Sequence, residues 1–150
     1  MQEYYSPFAN HSPVHRTNSL DRRTAMSLEE VAKGLTEFCK QGKYQEATDA
    51  YYSPDIVSVE AMGPNPVCTG LAGIEGKLAW WTENVEVHAI GVDGPFINTN
   101  TDTFAVVFTM DTTMKATGVR SQGREVAIYT VKDGKIVHEQ FLSGGEVSGG

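Results

Sequence analysis

Four side chains in this 150-residue chain have the type and setting to move a proton: Glu60, Glu139, His88 and Tyr129. Glu139 stands between Val137 and Phe141, and Glu60 closes the run Asp55-Ile56-Val57-Ser58-Val59-Glu60. A carboxyl held among apolar neighbours has its charged form destabilised, so its proton affinity climbs toward the working pH and it becomes a usable base or acid. Two such carboxyls with different surroundings can divide the acid and base roles between them. His88 could shuttle a proton near neutrality, and Tyr129 could steady a developing enolate. Each has an ordinary alternative: Glu60 as a salt-bridged strand end, Glu139 as a structural hydrogen-bond acceptor, and His88 as surface. Asp111, alternating with Met110, carries the same ambiguity between pocket and interface.

The elements that position these groups begin with a hairpin. Asp133-Gly134 separates two alternating runs, Arg124–Lys132 and Lys135–Phe141, and Asp-Gly in that setting is a strong hairpin signal. A two-residue turn pairs Ile128 with Glu139 and puts Val126, Ile128, Thr130, Val137, Glu139 and Phe141 on one face. A three-residue turn with a bulge slips the register by one, and Glu125 and Tyr129 then join Glu139. Upstream, Ser27-Leu28-Glu29-Glu30 reads as a capping box opening a helix with Leu28, Val31, Leu35 and Phe38 on one stripe, stopped at Gln41-Gly42. A short second helix carries Tyr44, Ala47 and Tyr51 and ends before Pro54, and a third carries Ile74, Leu78 and Trp81 beside Trp80. Strands follow: Val85–Val92, a short Pro95–Asn98, and a long run with Phe104, Val106, Phe108 and Met110 on one face. Apolar residues on both faces of that long strand imply helices on one side and a neighbour on the other. Three helices followed by an antiparallel meander is an α+β order. The expected pocket wall is Leu35, Phe38, Tyr51, Trp80, Trp81, Phe108 and Phe141, with Glu125 added in the bulged register; aromatic lining suits a flat, hydrophobic small molecule.

Composition excludes several classes. A formal charge of −7 argues against a nucleic-acid partner, whose phosphates need Lys and Arg. No run approaches the roughly 20 apolar residues of a membrane helix. Cys39 and Cys68 form no CxxC and read as small buried residues, which makes the cytoplasm the default location. Four histidines show no metal spacing, and there is no GxSxG elbow, phosphate loop or dinucleotide fingerprint, so no metal or cofactor is expected. Residues 1–25 hold scattered apolar residues with no repeating face and read as a flexible leader, with the domain over 26–145 and a flexible tail over 146–150.

With these residues in place, the chain resembles the SnoaL-like branch of the nuclear transport factor 2-like superfamily. The carrying stretches are Lys40-Gln41-Gly42, Tyr52 through Glu60, Gly70-x-x-Gly73-Ile74 and Val131 through Val137. The resemblance implies a cone-shaped, bent antiparallel sheet around three helices, an open-ended ligand pocket, and homodimers through the outer sheet face. It also implies cofactor-free chemistry of the cyclase or isomerase kind, or a non-catalytic binding domain, since this superfamily hosts both. In ketosteroid isomerases the base falls where Glu60 stands, whereas their two oxyanion donors fall near Leu35 and Val126, which cannot donate. Steroid isomerisation of that type is therefore not expected.

Overall fold

The structure, a computed structural model, describes residues 25–146. The expected leader and tail lie outside these residues except for Ala25 and Glu146. Helix α1 (Leu28–Lys40) opens on Ser27, whose hydroxyl accepts from the Glu30 amide at 3.1 Å. Its buried residues Val31, Ala32, Leu35, Thr36 and Cys39 recur at helical spacing and form the central stripe of the core. Gly42, at φ +70°, ends the helix in a left-handed conformation that costs glycine little.

Helix α2 (Tyr44–Tyr51) leads directly into β1 (Tyr52–Val59), which starts earlier than the residues after Pro54. The strand runs through Pro54, and its pairing with the neighbouring strand is irregular between Tyr52 and Val57. Proline brings no N–H to a ladder, so the irregular segment is where a strand can accept it. After β2 (Val67–Thr69), helix α3 (Gly70–Asn84) crosses to β3 (Val85–Asn98). The two strands expected here are one, with the ladder broken between Asp93 and Phe96 around Pro95. β3 is an edge strand, where a missing N–H costs least. Strands β4 (Thr103–Met114), β5 (Val119–Lys132) and β6 (Lys135–Glu146) complete the sheet.

The order is β2-β1-β6-β5-β4-β3. The sheet is mixed rather than wholly antiparallel: β6 returns beside β1 and runs parallel to it, whereas the other pairs are antiparallel. The β5–β6 turn does pair Lys132 with Lys135, with Asp133 at φ 51° and Gly134 at φ 74° as a primed hairpin turn requires. Val131 then faces Ile136 but Thr130 faces His138, so Val137 is an extra residue on β6. The slip comes from this bulge, not from a longer turn. It sets Tyr129 opposite Glu139 and Ala127 opposite Phe141, and places Glu125 on the inner face in place of Val126 and Ile128.

Candidate functional site

Strand alternation on β1 brings Ile56 and Ser58 inward, with Glu60 just past the strand end on the same side. Its amide donates to the Pro66 carbonyl at 2.7 Å, which closes the Ala61–Asn65 loop. Glu139 on β6 is 2 % exposed and accepts from three donors. The Tyr52 hydroxyl donates to Oε2, the Ser58 hydroxyl to Oε1 at 2.7 Å, and Lys77 Nζ to Oε1 at 3.4 Å. Lys77 also donates to Ser58 Oγ at 2.6 Å, pairs with Glu60, and stands 4.5 Å over the Phe141 ring. A carboxylate this deep is tolerable only when its lone pairs are filled, and here three of about four are.

The titration behaviour follows from this packing. Burial works against the Lys77 ammonium, but Glu139 and Glu60 outweigh it and hold its pKa above the ordinary value. Burial, then Glu139, pushes the Tyr52 and Tyr129 hydroxyls well above the usual range, so both stay protonated donors. The Cys39 thiol rises to about 12 for the same two reasons and is inert as a nucleophile. Glu125 is raised to about 7, first by burial and then by Glu60, with Lys77 pulling the other way and Glu139 adding to the rise. A half-buried carboxyl raised to about 7 has the proton affinity that a general acid or base needs at neutral pH.

The expected residues divide into those the fold brings together and those it does not. Glu125, Tyr129, Glu139, Glu60 and Phe141 converge on the inner face near Lys77. Tyr129 is stacked on Phe104 with centroids 4.8 Å apart, and Phe108 is buried in the same core, opposite Glu125 on the ladder. Leu35 is core, and Phe38 packs against Tyr51 at 6.0 Å. His88 is exposed and bonds Thr113 Oγ1 at 2.7 Å; the β3 irregularity between Val87 and Ala89 presents it to the outer side, near Asp111, away from Glu139. Asp111 is also outside the cluster, held bidentately by Arg120 at 2.9 Å, which keeps its pKa near about 2. Trp80 is 53 % exposed, because one residue along a helix is a 100° turn and only Trp81 stays on the half-buried side. Among the described residues no group of His, Cys, Asp and Glu is placed to hold a metal ion, and no helix is long and apolar enough to cross a membrane.

Sequence reading missed Lys77, Tyr52 and Ser58 as site members. Ser58 alternates with Ile56 and Glu60, and Lys77 lies three residues after Ile74 and four before Trp81, so its place at the edge of the buried stripe was available.

Residues 26–143 match the SnoaL-like domain family. A crystal structure from Mesorhizobium loti, described as a proposed SnoaL-like polyketide cyclase with carbohydrate phosphatase as an added descriptor, is 47 % identical. It covers 77 % of this chain and 98 % of its own, with a TM-score of 0.73. A proposed isomerase from Bacillus subtilis shares the fold at 14 % identity and a TM-score of 0.64, over 79 % of this chain and 90 % of its own. A Xanthomonas campestris protein with a cystatin-like fold does so at 18 % identity and 0.65, over 81 % and 93 %. No curated protein matches the chain.

Proposed function

The chain belongs to the SnoaL-like domain family of the nuclear transport factor 2-like superfamily, and from that premise we propose a small cofactor-free enzyme. It transfers a proton on a hydrophobic carbonyl compound, in an isomerisation or an aldol-type cyclisation such as polyketide cyclases perform. The carrying observation is Glu125, a half-buried carboxyl raised to about 7 beside the Lys77–Glu60–Glu139 cluster. Glu60 was the expected base, but its carboxylate is 36 % exposed and committed to Lys77; Glu125 is the carboxyl left uncommitted.

Glu125 as carboxylate removes a proton from the carbon beside the carbonyl. The C–H electron pair becomes the enolate double bond, and charge collects on the carbonyl oxygen. Lys77, the ammonium of this cluster, offsets that charge. In an isomerisation Glu125 returns the proton to a second carbon; in a cyclisation the enolate carbon attacks an internal carbonyl and the proton goes to the alkoxide formed. One ammonium against three carboxyls favours such a substrate over a phosphate ester, which the cluster would repel.

The test is α-proton exchange of 2-tetralone in D2O followed by NMR. Catalysed exchange that rises with pH through an apparent pKa near 7 and is lost in Glu125→Gln supports the proposal. Exchange that is equal in both proteins removes Glu125 from the mechanism. The rival reading, a non-catalytic binding or dimerisation domain, draws on the saturation of Glu139 by Tyr52, Ser58 and Lys77, which makes that carboxylate structural. We further propose a homodimer through the outer face, where Phe96 and Leu142 are exposed beside Val107 and Val126. Two free thiols suit a reducing, cytoplasmic setting.

A further inference from the structure

Gly123 sits on β5 two residues before Glu125, at a place where the fold itself has no need of a glycine. The β4–β5 ladder runs without a shift from Thr103 and Thr130 to Met114 and Val119, so alternation puts Gly123 on the inner face with Glu125. Its φ lies outside the left-handed region, and a Cβ placed on it meets no atom within 4 Å. The shift in the β5–β6 ladder beside it does not call for a glycine either. Ser143 to Glu146 spans three steps against two on β5, so the extra residue lies on β6. Gly91, by contrast, is kept bare by Thr109 Oγ1. Among the described glycines only Gly76 shares an ordinary φ and open space with Gly123, and Gly76 lies on the exposed side of α3. Gly123 is half-buried. Glycine inside a strand costs stability and packs nothing, and such a residue marks a place where something else approaches the backbone closely.

The surroundings say what kind of group that is. Met110 faces Gly123 across the ladder and Ile90 faces Met110, both half-buried against the core. Lys77 stands over Phe141, which pairs with Ala127, so the charged cluster lies on the far side of Glu125 from Gly123. Gly123 and Glu125 are roughly 7 Å apart along the strand, a span that a second fused ring covers. An apolar strip with a methionine sulfur in its middle favours an aromatic ring.

We infer that Gly123 is a specificity-determining position: an uncharged ring lies across the Gly123–Met110–Ile90 strip while the carbonyl of the same molecule reaches Glu125. The substrate class is then a carbonyl compound with an apolar ring beyond the reacting one. Only the carbonyl end of this placement rests on Glu125 as the reacting carboxyl; the ring end is measured by binding, without turnover.

The probes are 2-tetralone and cyclohexanone, which lacks the second ring, with Kd measured by ligand-observed NMR titration. The wild type binds 2-tetralone about ten-fold tighter, which roughly 55 Å² of covered apolar surface supplies. In Gly123→Val the branched side chain fills the strip and 2-tetralone falls to the cyclohexanone level. Urea titration of the same variant shows a stability equal to or above that of the wild type, because valine suits a strand better than glycine. Should the variant fold poorly, the Gly123 amide resonance of the wild type decides, and it shifts on addition of 2-tetralone. A 2-tetralone preference that survives in Gly123→Val, an amide that 2-tetralone leaves unmoved, or no binding of either ketone overturns the inference. A preference lost in Gly123→Val without α-proton exchange in the wild type would remove the enzyme reading and keep the ring subsite. Exchange with a surviving preference would do the reverse.

Discussion

Replacing Glu125 by glutamine should make the protein more stable, by an amount that grows as pH rises from 4.5 to about 7. The folded protein raises this carboxyl from 4.5 to about 7, chiefly by burial. Below pH 4.5 folded and unfolded chains both hold the proton, and nothing is lost. Between 4.5 and 7 the folded state keeps a proton that the unfolded chain has released, so stability falls as pH rises. Above about 7 both are ionised and the full penalty stands, about 3 kcal/mol before screening at about 1.4 kcal/mol per pH unit. Glu125 is only half-buried, so solvent reduces this to about 2 kcal/mol. A neutral amide of the same shape never incurs the penalty. Glu125→Gln should therefore nearly match the wild type at pH 4 and exceed it at pH 8 by about 2 kcal/mol, or about 4–8 °C in Tm for a chain of this length. Urea titrations at the two pH values, fitted to a two-state transition, measure it. An equal difference at pH 4 and pH 8, or a wild type that gains stability with rising pH where Glu125→Gln does not, would refute the reasoning.

Lys77→Met strands Glu139 and Glu60 without their cation. Breaking a buried pair costs about 3–5 kcal/mol, and the partial exposure of Lys77 brings the expected loss to about 2–4. Adding Glu139→Gln should restore part of it in a double-mutant cycle, and a loss under about 1 kcal/mol would show the cluster to be energetically idle. Thiol titration with a chromogenic disulfide at pH 8 should show Cys68 reacting in the native state and Cys39, raised to about 12, only after unfolding; two fast thiols would contradict the burial of Cys39. Light scattering should return about twice the 16.4 kDa of one chain, and Leu142→Glu on the outer face should halve it. A wild-type mass of 16.4 kDa would exclude the dimer.

The fold was legible where the sequence offered one local solution. Ser27 and the Val31–Leu35 stripe define α1, and Asp133-Gly134 defines the last turn. What escaped was set by partners distant in sequence. The parallel pairing of β1 with β6 joins Ser58 to Glu139, eighty-one residues away, and no local pattern encodes it. The β5–β6 register was open because both alternatives put apolar side chains inward; the bulge at Val137 chose the one that buries Ala127, Tyr129 and Glu139. His88 fell on the wrong side because a second irregularity at β3 breaks the alternation. Lys77 was passed over because a lysine is ordinarily given to solvent, and only the acids opposite make its burial favourable.

The central claim is that one carboxyl inside this fold exchanges its proton at neutral pH. Carbon-13 NMR of side-chain-labelled glutamate, with Glu125→Gln assigning the resonance, follows that carboxyl directly from pH 3 to 9. A Glu125 midpoint near 7 is the predicted result. A midpoint near 4.5, the value of a solvent-exposed glutamate, would contradict it and with it the proposed chemistry.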